Sequence, residues 1–105
     1  MSTPYIMSVV YPAGTKFDMD YYLATHMPLV QKKWAPYGLK AWKVHEYTTP
    51  DAAYTVQANL EWESEEACEK AKAAPEGAEV FGDVPNFSDK TPSVWGGDVK
   101  KSATC

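Results

Sequence analysis

The chain has 105 residues, with fourteen acidic against ten basic side chains and a formal net charge of −4. That length suits a single domain over residues 1–105, able to bury a core without disulfides yet small enough to gain from oligomerisation. The acidic balance, with no basic run beyond the doublets Lys32-Lys33 and Lys100-Lys101, argues against a nucleic-acid surface. No stretch approaches the roughly 20 apolar residues of a membrane span, and no basic region followed by an apolar run marks a secretory leader. Cys68 and Cys105 stand far apart, without metal-type or redox spacing, so a reducing cytoplasm is the expected location. Seven Tyr, four Trp and three Phe suit a ring-lined core or a pocket for a flat apolar ligand.

Tyr5 to Tyr11 is β-branched and aromatic and reads as the first strand, closed by Pro12 and a turn through Thr15. Asp18 is placed to cap a helix, and Asp20 adds favourable charge to its first turn. Apolar residues then fall at Met19, Tyr22, Leu23, Met27, Val30 and Trp34, which is helical spacing, and His26 lies on the same stripe. Pro28 interrupts this pattern. It removes a backbone donor and disfavours helical geometry at Met27, which predicts a bend beside His26 and a freed carbonyl near the imidazole. Pro36-Tyr37-Gly38 ends the helix.

Leu39 to Tyr47 alternates as a second strand, with His45 on the face of Leu39, Ala41 and Tyr47, and Trp42 on the face of Lys40 and Glu46. Ala53 to Trp62 alternates more cleanly. Tyr54, Val56, Ala58, Leu60 and Trp62 share one face, and Thr55, Gln57, Asn59 and Glu61 the other, as in an antiparallel sheet covered on one side. Ser64 caps a second helix that turns Ala67, Cys68, Ala71 and Ala74 inward; Pro75 interrupts it, and a shorter helical piece carries Val80, Phe81 and Val84. Residues 85–89 form a loop. Thr91 to Trp95 is a weak last strand ended or bulged by Gly96-Gly97, and the polar tail over 98–105 is expected to fray.

The order β-α-β-β-α-β predicts an α+β, ferredoxin-like fold, with a four-stranded antiparallel sheet and two helices on one face. The bare sheet face predicts a homodimer.

Tyr11-Pro12, Phe17-Asp18, Tyr21-Tyr22 and His26-Met27-Pro28-Leu29 resemble the EthD family, named for ethyl tert-butyl ether degradation. Leu60-Glu61-Trp62-Glu63-Ser64 with Glu66-Ala67, and Asp83-Val84-Pro85-Asn86-Phe87 with Asp89, extend the resemblance until it fades after Thr91. The resemblance implies a dimeric α+β barrel, two sheets packed face to face, with a ligand cavity between each sheet and its own helices. It also implies an oxidoreductase of the cofactor-independent oxygenase type, acting on a small aromatic or polyketide-like substrate. A dehydratase or cyclase using the same base, or a non-catalytic carrier, are the alternatives. A fold of this kind licenses a pocket and not a reaction.

His26 is the first candidate for a general acid or base, because its ordinary pKa lies near neutrality. Its structural alternative is a half-buried histidine bonded to the carbonyl freed by Pro28. Tyr22, one turn earlier, could donate a hydrogen bond to a substrate carbonyl, or be a plain core ring. Tyr11, Trp34, Val56, Ala58, Leu60 and Trp62 are the candidate cavity walls. His45 could pair with His26, though an interface or surface place suits it better, and Trp42 is expected at the dimer interface. Gln57 and Asn59 are expected inside the barrel, Trp95 in the core and Cys68 as a small buried residue. The Glu61–Glu66 carboxylates read as a solvated run. No metal spacing and no glycine-rich phosphate loop appear, so no cofactor is expected; haem, with His26 as its candidate ligand, is the one alternative.

Overall fold

The structure, a computed structural model, describes residues 3–105. Strand β1 (Tyr5–Pro12) leads to a continuous helix α1 over residues 19–34 and a short 3-10 turn, Ala35–Tyr37. Strands β2 (Leu39–Glu46) and β3 (Tyr54–Trp62) follow, then α2 (Glu65–Ala73), α3 (Pro75–Gly82), a 3-10 turn at Val84–Asn86, and β4 (Ser93–Asp98). All strand pairs are antiparallel, in the order β2-β3-β1-β4, which is the ferredoxin-like α+β arrangement.

The strongest pattern in the sequence sets the core. Val56, Ala58, Leu60 and Trp62 of β3 are all buried, and they pair across β1 with Tyr11, Val9, Met7 and Tyr5. Met27, Val30 and Trp34 from α1, and Ala67, Cys68 and Ala71 from α2, close the same core. Ser64 Oγ accepts the Ala67 N–H at 3.1 Å and starts α2 as expected. Gly38, with φ of +117°, ends the first helical segment in a conformation that side chains resist. Among the described residues no helix is long and apolar enough to cross a membrane.

The structure departs from the sequence reading in four places. Helix α1 does not leave helical geometry at Met27, whose φ and ψ are −66° and −38°. Instead it widens into a π-helical stretch, Tyr22–His26, in which the Met27 N–H reaches back five residues to the Tyr22 carbonyl. A wider turn relieves the clash that the Pro28 ring would make with the carbonyl four residues back. The slower rotation per residue carries Leu23 off the buried stripe, where it stands 46% exposed, and keeps Tyr22, His26, Met27, Val30 and Trp34 together.

Trp42 does not lie on the open sheet face. The β2–β3 register slips between Leu39 and Ala41, so Leu39 and Trp42, three residues apart, share the helix-covered face. The Trp42 indole N–H donates to Gln31 Oε1 of α1 at 3.0 Å. The last strand runs Ser93–Asp98, so Gly96 and Gly97 lie inside it and Asp98 belongs to the sheet. A Cβ on Gly96 would sit 2.1 Å from Tyr5 Oη, so the strand can pass the tyrosine only with glycine there. Trp95, opposite Ser8, is 54% exposed and not in the core.

The open sheet face carries a line of hydrogen bonds. Ser8 Oγ and Gln57 Nε2 both donate to Asn59 Oδ1 at 2.9 Å, and the Tyr47 hydroxyl donates to Gln57 Oε1.

Candidate active site

The π-helical stretch ends on His26, which is 4% exposed. Its Nδ1 lies 2.9 Å from Oδ2 of Asp83, the residue that follows α3. The other Asp83 oxygen accepts from the Tyr21 hydroxyl at 2.7 Å and from Asn86 Nδ2 at 2.8 Å. One carboxylate thus ties the first turns of α1 to the end of α3 and to the turn after it. The imidazole packs into a triangle of rings with Tyr22, stacked at 5.3 Å between centroids, and Phe87, tilted at 4.5 Å; Tyr22 and Phe87 are 4.8 Å from each other.

The electrostatics agree on a protonation state. Burial pushes the His26 imidazole below its ordinary value, against the upward pull of the Asp83 hydrogen bond and charge. Burial pushes Asp83 up, but hydrogen bonds from Asn86, Tyr21 and His26 outweigh it and leave the carboxyl below its ordinary value. An ionised carboxylate can only accept, so a neutral His26 carries its proton on Nδ1. Nε2 makes no hydrogen bond among the described residues and keeps a free lone pair. This arrangement can take a proton from a bound molecule and later return it.

His26 borders a cavity under the sheet, together with Met7, Val9, Tyr11, Tyr22, Met27, Val30, Trp34, Leu60, Val80, Phe81, Val84 and Pro92. Of the wall residues expected from the sequence, Tyr11, Trp34 and Leu60 line it beside Tyr22 and His26; Val56, Ala58 and Trp62 are buried in the core but lie off the wall. The space is tight, with about 20 Å³ open to the centres of water molecules. That admits a water or two, and an aromatic ring needs the partly exposed Phe81, Val84 and Pro92 to move aside. Burial drives both the Tyr11 and Tyr22 phenols far above their ordinary pKa, and neither hydroxyl has a hydrogen-bond partner among the described residues. The indole N–H groups of Trp34 and Trp62, by contrast, are sealed in the packing without a partner among the described residues.

His45 is exposed on the other sheet face against Tyr47, so it forms no pair with His26. Among the described residues no three His, Cys, Asp or Glu side chains come together to hold a metal ion. The carbonyl partner expected for His26 is replaced by Asp83, 57 residues away, which the sequence marks only as an acid at the end of an apolar helical piece, three residues before Asn86.

The family model for the EthD domain matches residues 13–91. No curated protein matches the chain. An EthD-like protein from Ralstonia eutropha JMP134 superposes with a TM-score of 0.81 at 25% identity, over 97% of this chain and 98% of its own. An EthD-family protein from Bacillus halodurans C-125 gives 0.68 at 20% identity, over 90% and 96%. The hydroxynitrile lyase of Passiflora edulis shares the fold alone, with a TM-score of 0.70 at 12% identity over 98% of each chain. Further matches are described as dimeric ferredoxin-like proteins, from Thermobifida fusca and Jannaschia sp. CCS1, and one from Bacteroides thetaiotaomicron as a possible oxidoreductase. With three quarters of its residues inside the matched domain, the chain belongs to the EthD family.

Proposed function

We propose that this protein is a small-molecule enzyme in which His26 is the general base and then the general acid, and Asp83 is its positioning residue. The observation that carries this reading is the 2.9 Å contact between His26 Nδ1 and Asp83 Oδ2 beside a mostly apolar cavity. A carboxylate behind the imidazole selects the tautomer with Nε2 bare and stabilises the imidazolium that forms on proton transfer. The substrate is a small aromatic or polyketide-like molecule with an acidic C–H beside a carbonyl. Nε2 takes that proton, and the electron pair moves onto the carbonyl oxygen as an enolate or phenolate.

The first assignment is to an oxygenase that works without a nucleotide cofactor. The anion adds dioxygen at carbon, the resulting peroxide oxygen takes back the proton held on His26 Nε2 to give a hydroperoxide, and loss of water from it, with the remaining hydrogen on that carbon, leaves a quinone-type product. Dehydration or ring closure from the same anion is the alternative, and the base is shared by all these outcomes. Structural relatives described as a lyase and as a possible oxidoreductase are compatible with small-molecule chemistry on this fold. The working form is a homodimer through the open sheet face. The Ser8–Asn59–Gln57–Tyr47 line and the exposed Trp95 offer polar and aromatic groups to a second sheet, and dimeric relatives support the assembly.

The test compares wild type, His26→Ala and Tyr22→Phe with anthrones, quinols and β-keto aromatics, in air and under nitrogen. Loss of turnover in folded His26→Ala is expected. A requirement for oxygen assigns the oxygenase, and indifference to oxygen assigns dehydration or cyclisation. Equal turnover by His26→Ala and wild type overturns the acid–base role; binding without turnover in every protein makes the chain a carrier.

A further inference from the structure

We infer that the cavity selects an uncharged molecule with an apolar body and one terminal ketone or phenol oxygen, held by the Tyr11 and Tyr22 hydroxyls, and that it rejects the carboxylate of the same shape. The inference rests on the small-molecule reading above and adds the ligand's charge and direction.

Three observations carry it. The first is the charge of the site. Among the described residues no Lys, Arg, Asp or Glu lines the cavity, and the Asp83 carboxylate stands directly behind His26 of its wall. With His26 neutral, the site as a whole is anionic. A buried carboxylate ligand would lose its hydration, meet no cation and face a like charge.

The second is the pair of unused donors. Tyr11 and Tyr22 are each 1% exposed, both line the cavity, and their rings stand edge to face with centroids 6.1 Å apart. Burial keeps both phenols protonated. Neither hydroxyl makes a hydrogen bond among the described residues, and, unlike the Trp34 and Trp62 indole N–H groups, neither oxygen is sealed from open space, so both are free to meet a ligand acceptor. A ligand oxygen at this end meets both. It is also the oxygen on which charge develops when the neighbouring C–H proton passes to His26, so the same donors stabilise the anion.

The third is direction. Tyr11 and Met7 are four residues apart on β1, roughly 13 Å along the strand. His26 and Trp34 are eight residues apart on α1, roughly 12 Å along the helix. The polar groups of the wall therefore gather at one end, at Tyr11, Tyr22 and His26. The far end is Met7, Leu60 and Trp34, with the Trp34 N–H sealed in the packing. A ligand with polar groups at both ends has nothing to meet at the second.

The test is isothermal titration of the full chain with acetophenone, benzoate and ethylbenzene, which share a ring and nearly a shape. Acetophenone is expected to bind at least about tenfold more tightly than benzoate. Tyr11→Phe and Tyr22→Phe are each expected to weaken acetophenone about fivefold and to leave ethylbenzene unchanged. Each variant removes a single oxygen, and circular dichroism checks its fold; should one fail to fold, the other carries the test. Equal or tighter binding of benzoate overturns the inference. So does an equal effect of the tyrosine variants on ketone and hydrocarbon, or no binding of any of the three. These readouts need no turnover, so inactivity of the protein on the aromatic panel would sink the acid–base reading and leave the binding result standing.

Discussion

Replacing Asp83 by Asn removes one charge and almost no volume, and it reverses the hydrogen-bonding logic at His26. The carboxylate accepts three hydrogen bonds, from His26 at 2.9 Å, Tyr21 at 2.7 Å and Asn86 at 2.8 Å. Asparagine keeps one acceptor oxygen for Tyr21 and Asn86, and turns its NH₂ towards His26 Nδ1. Two donors cannot share that contact, so the imidazole proton moves to Nε2 and the base is lost. General acid–base catalysis contributes about 10²–10⁴ in rate, and turnover should fall by that factor while the substrate still binds. The stability cost is the difference between charged and neutral hydrogen bonding at a mostly buried site, about 1–3 kcal/mol. For a chain of this size that lowers the melting temperature by roughly 4–8 °C per kcal/mol. The direct assay is a long-range proton–nitrogen correlation of the imidazole rings. The chain has two histidines, and exposed His45 serves as the internal reference. Wild-type His26 should show a protonated Nδ1 and a bare Nε2, and Asp83→Asn the reverse. A wild-type ring protonated on Nε2, or a variant with unchanged tautomer and unchanged turnover, rules out Asp83 as the group that sets the proton's place.

Acid should destabilise the protein in two steps. The His26 pKa is lowered on folding, so below its ordinary value of 6.5 the unfolded chain binds more protons, and stability falls with pH until the folded value is passed. The Asp83 pKa is also lowered, so its contribution is intact above 3.8 and is lost as pH falls through the folded value. Melting curves from pH 8 to 3 should show both steps, and His26→Gln should lack the first; an unchanged upper step in that variant would contradict the assignment. Phe81→Ala opens the cavity's solvent side, since this ring is 37% exposed and packs against Trp34 at 5.7 Å. Acetophenone association followed by stopped flow should quicken several-fold, and an unchanged rate would place the entrance elsewhere. Gly96→Ala should lose about 1–3 kcal/mol through collision with Tyr5, whereas Gly97→Ala, with nothing within 4 Å of its Cβ, should melt like wild type.

The sequence is legible where local chemistry decides the structure. The alternation from Val56 to Trp62 sets the core face of β3, and Asp18 and Ser64 start their helices by accepting the N–H groups three residues on. It is silent where one residue of offset changes the face. The slip after Leu39 reversed the placement of Trp42, and the π-helical stretch removed Leu23 from the core. Parity and periodicity assume an unbroken count, and neither break leaves a composition signal of its own. Two adjacent glycines looked like the end of β4, but Gly96 is there because Tyr5 needs its space. His26 was legible because a titratable group on an apolar stripe is unusual. Its partner was not, because nothing local joins Asp83 to a residue 57 positions earlier; only the closing of α3 against α1 does.

The widened turn from Tyr22 to His26 gives α1 the character of a vernier, two scales of different pitch read against each other. The stretch itself is counted in one pitch and the residues on either side of it in another, and His26 sits on the last mark before the change back. Loss of a single residue from this stretch would restore a uniform pitch. Both flanks would stay in phase, because one residue fewer at the α-helical pitch covers nearly the same rotation, whereas a further inserted residue would swing the imidazole away from its carboxylate without either side chain being altered. The His26–Asp83 pair is therefore exposed to insertions in this stretch as well as to substitutions of its neighbours. An inactive relative of this chain is as readily made by changing the length of the helix as by changing the histidine.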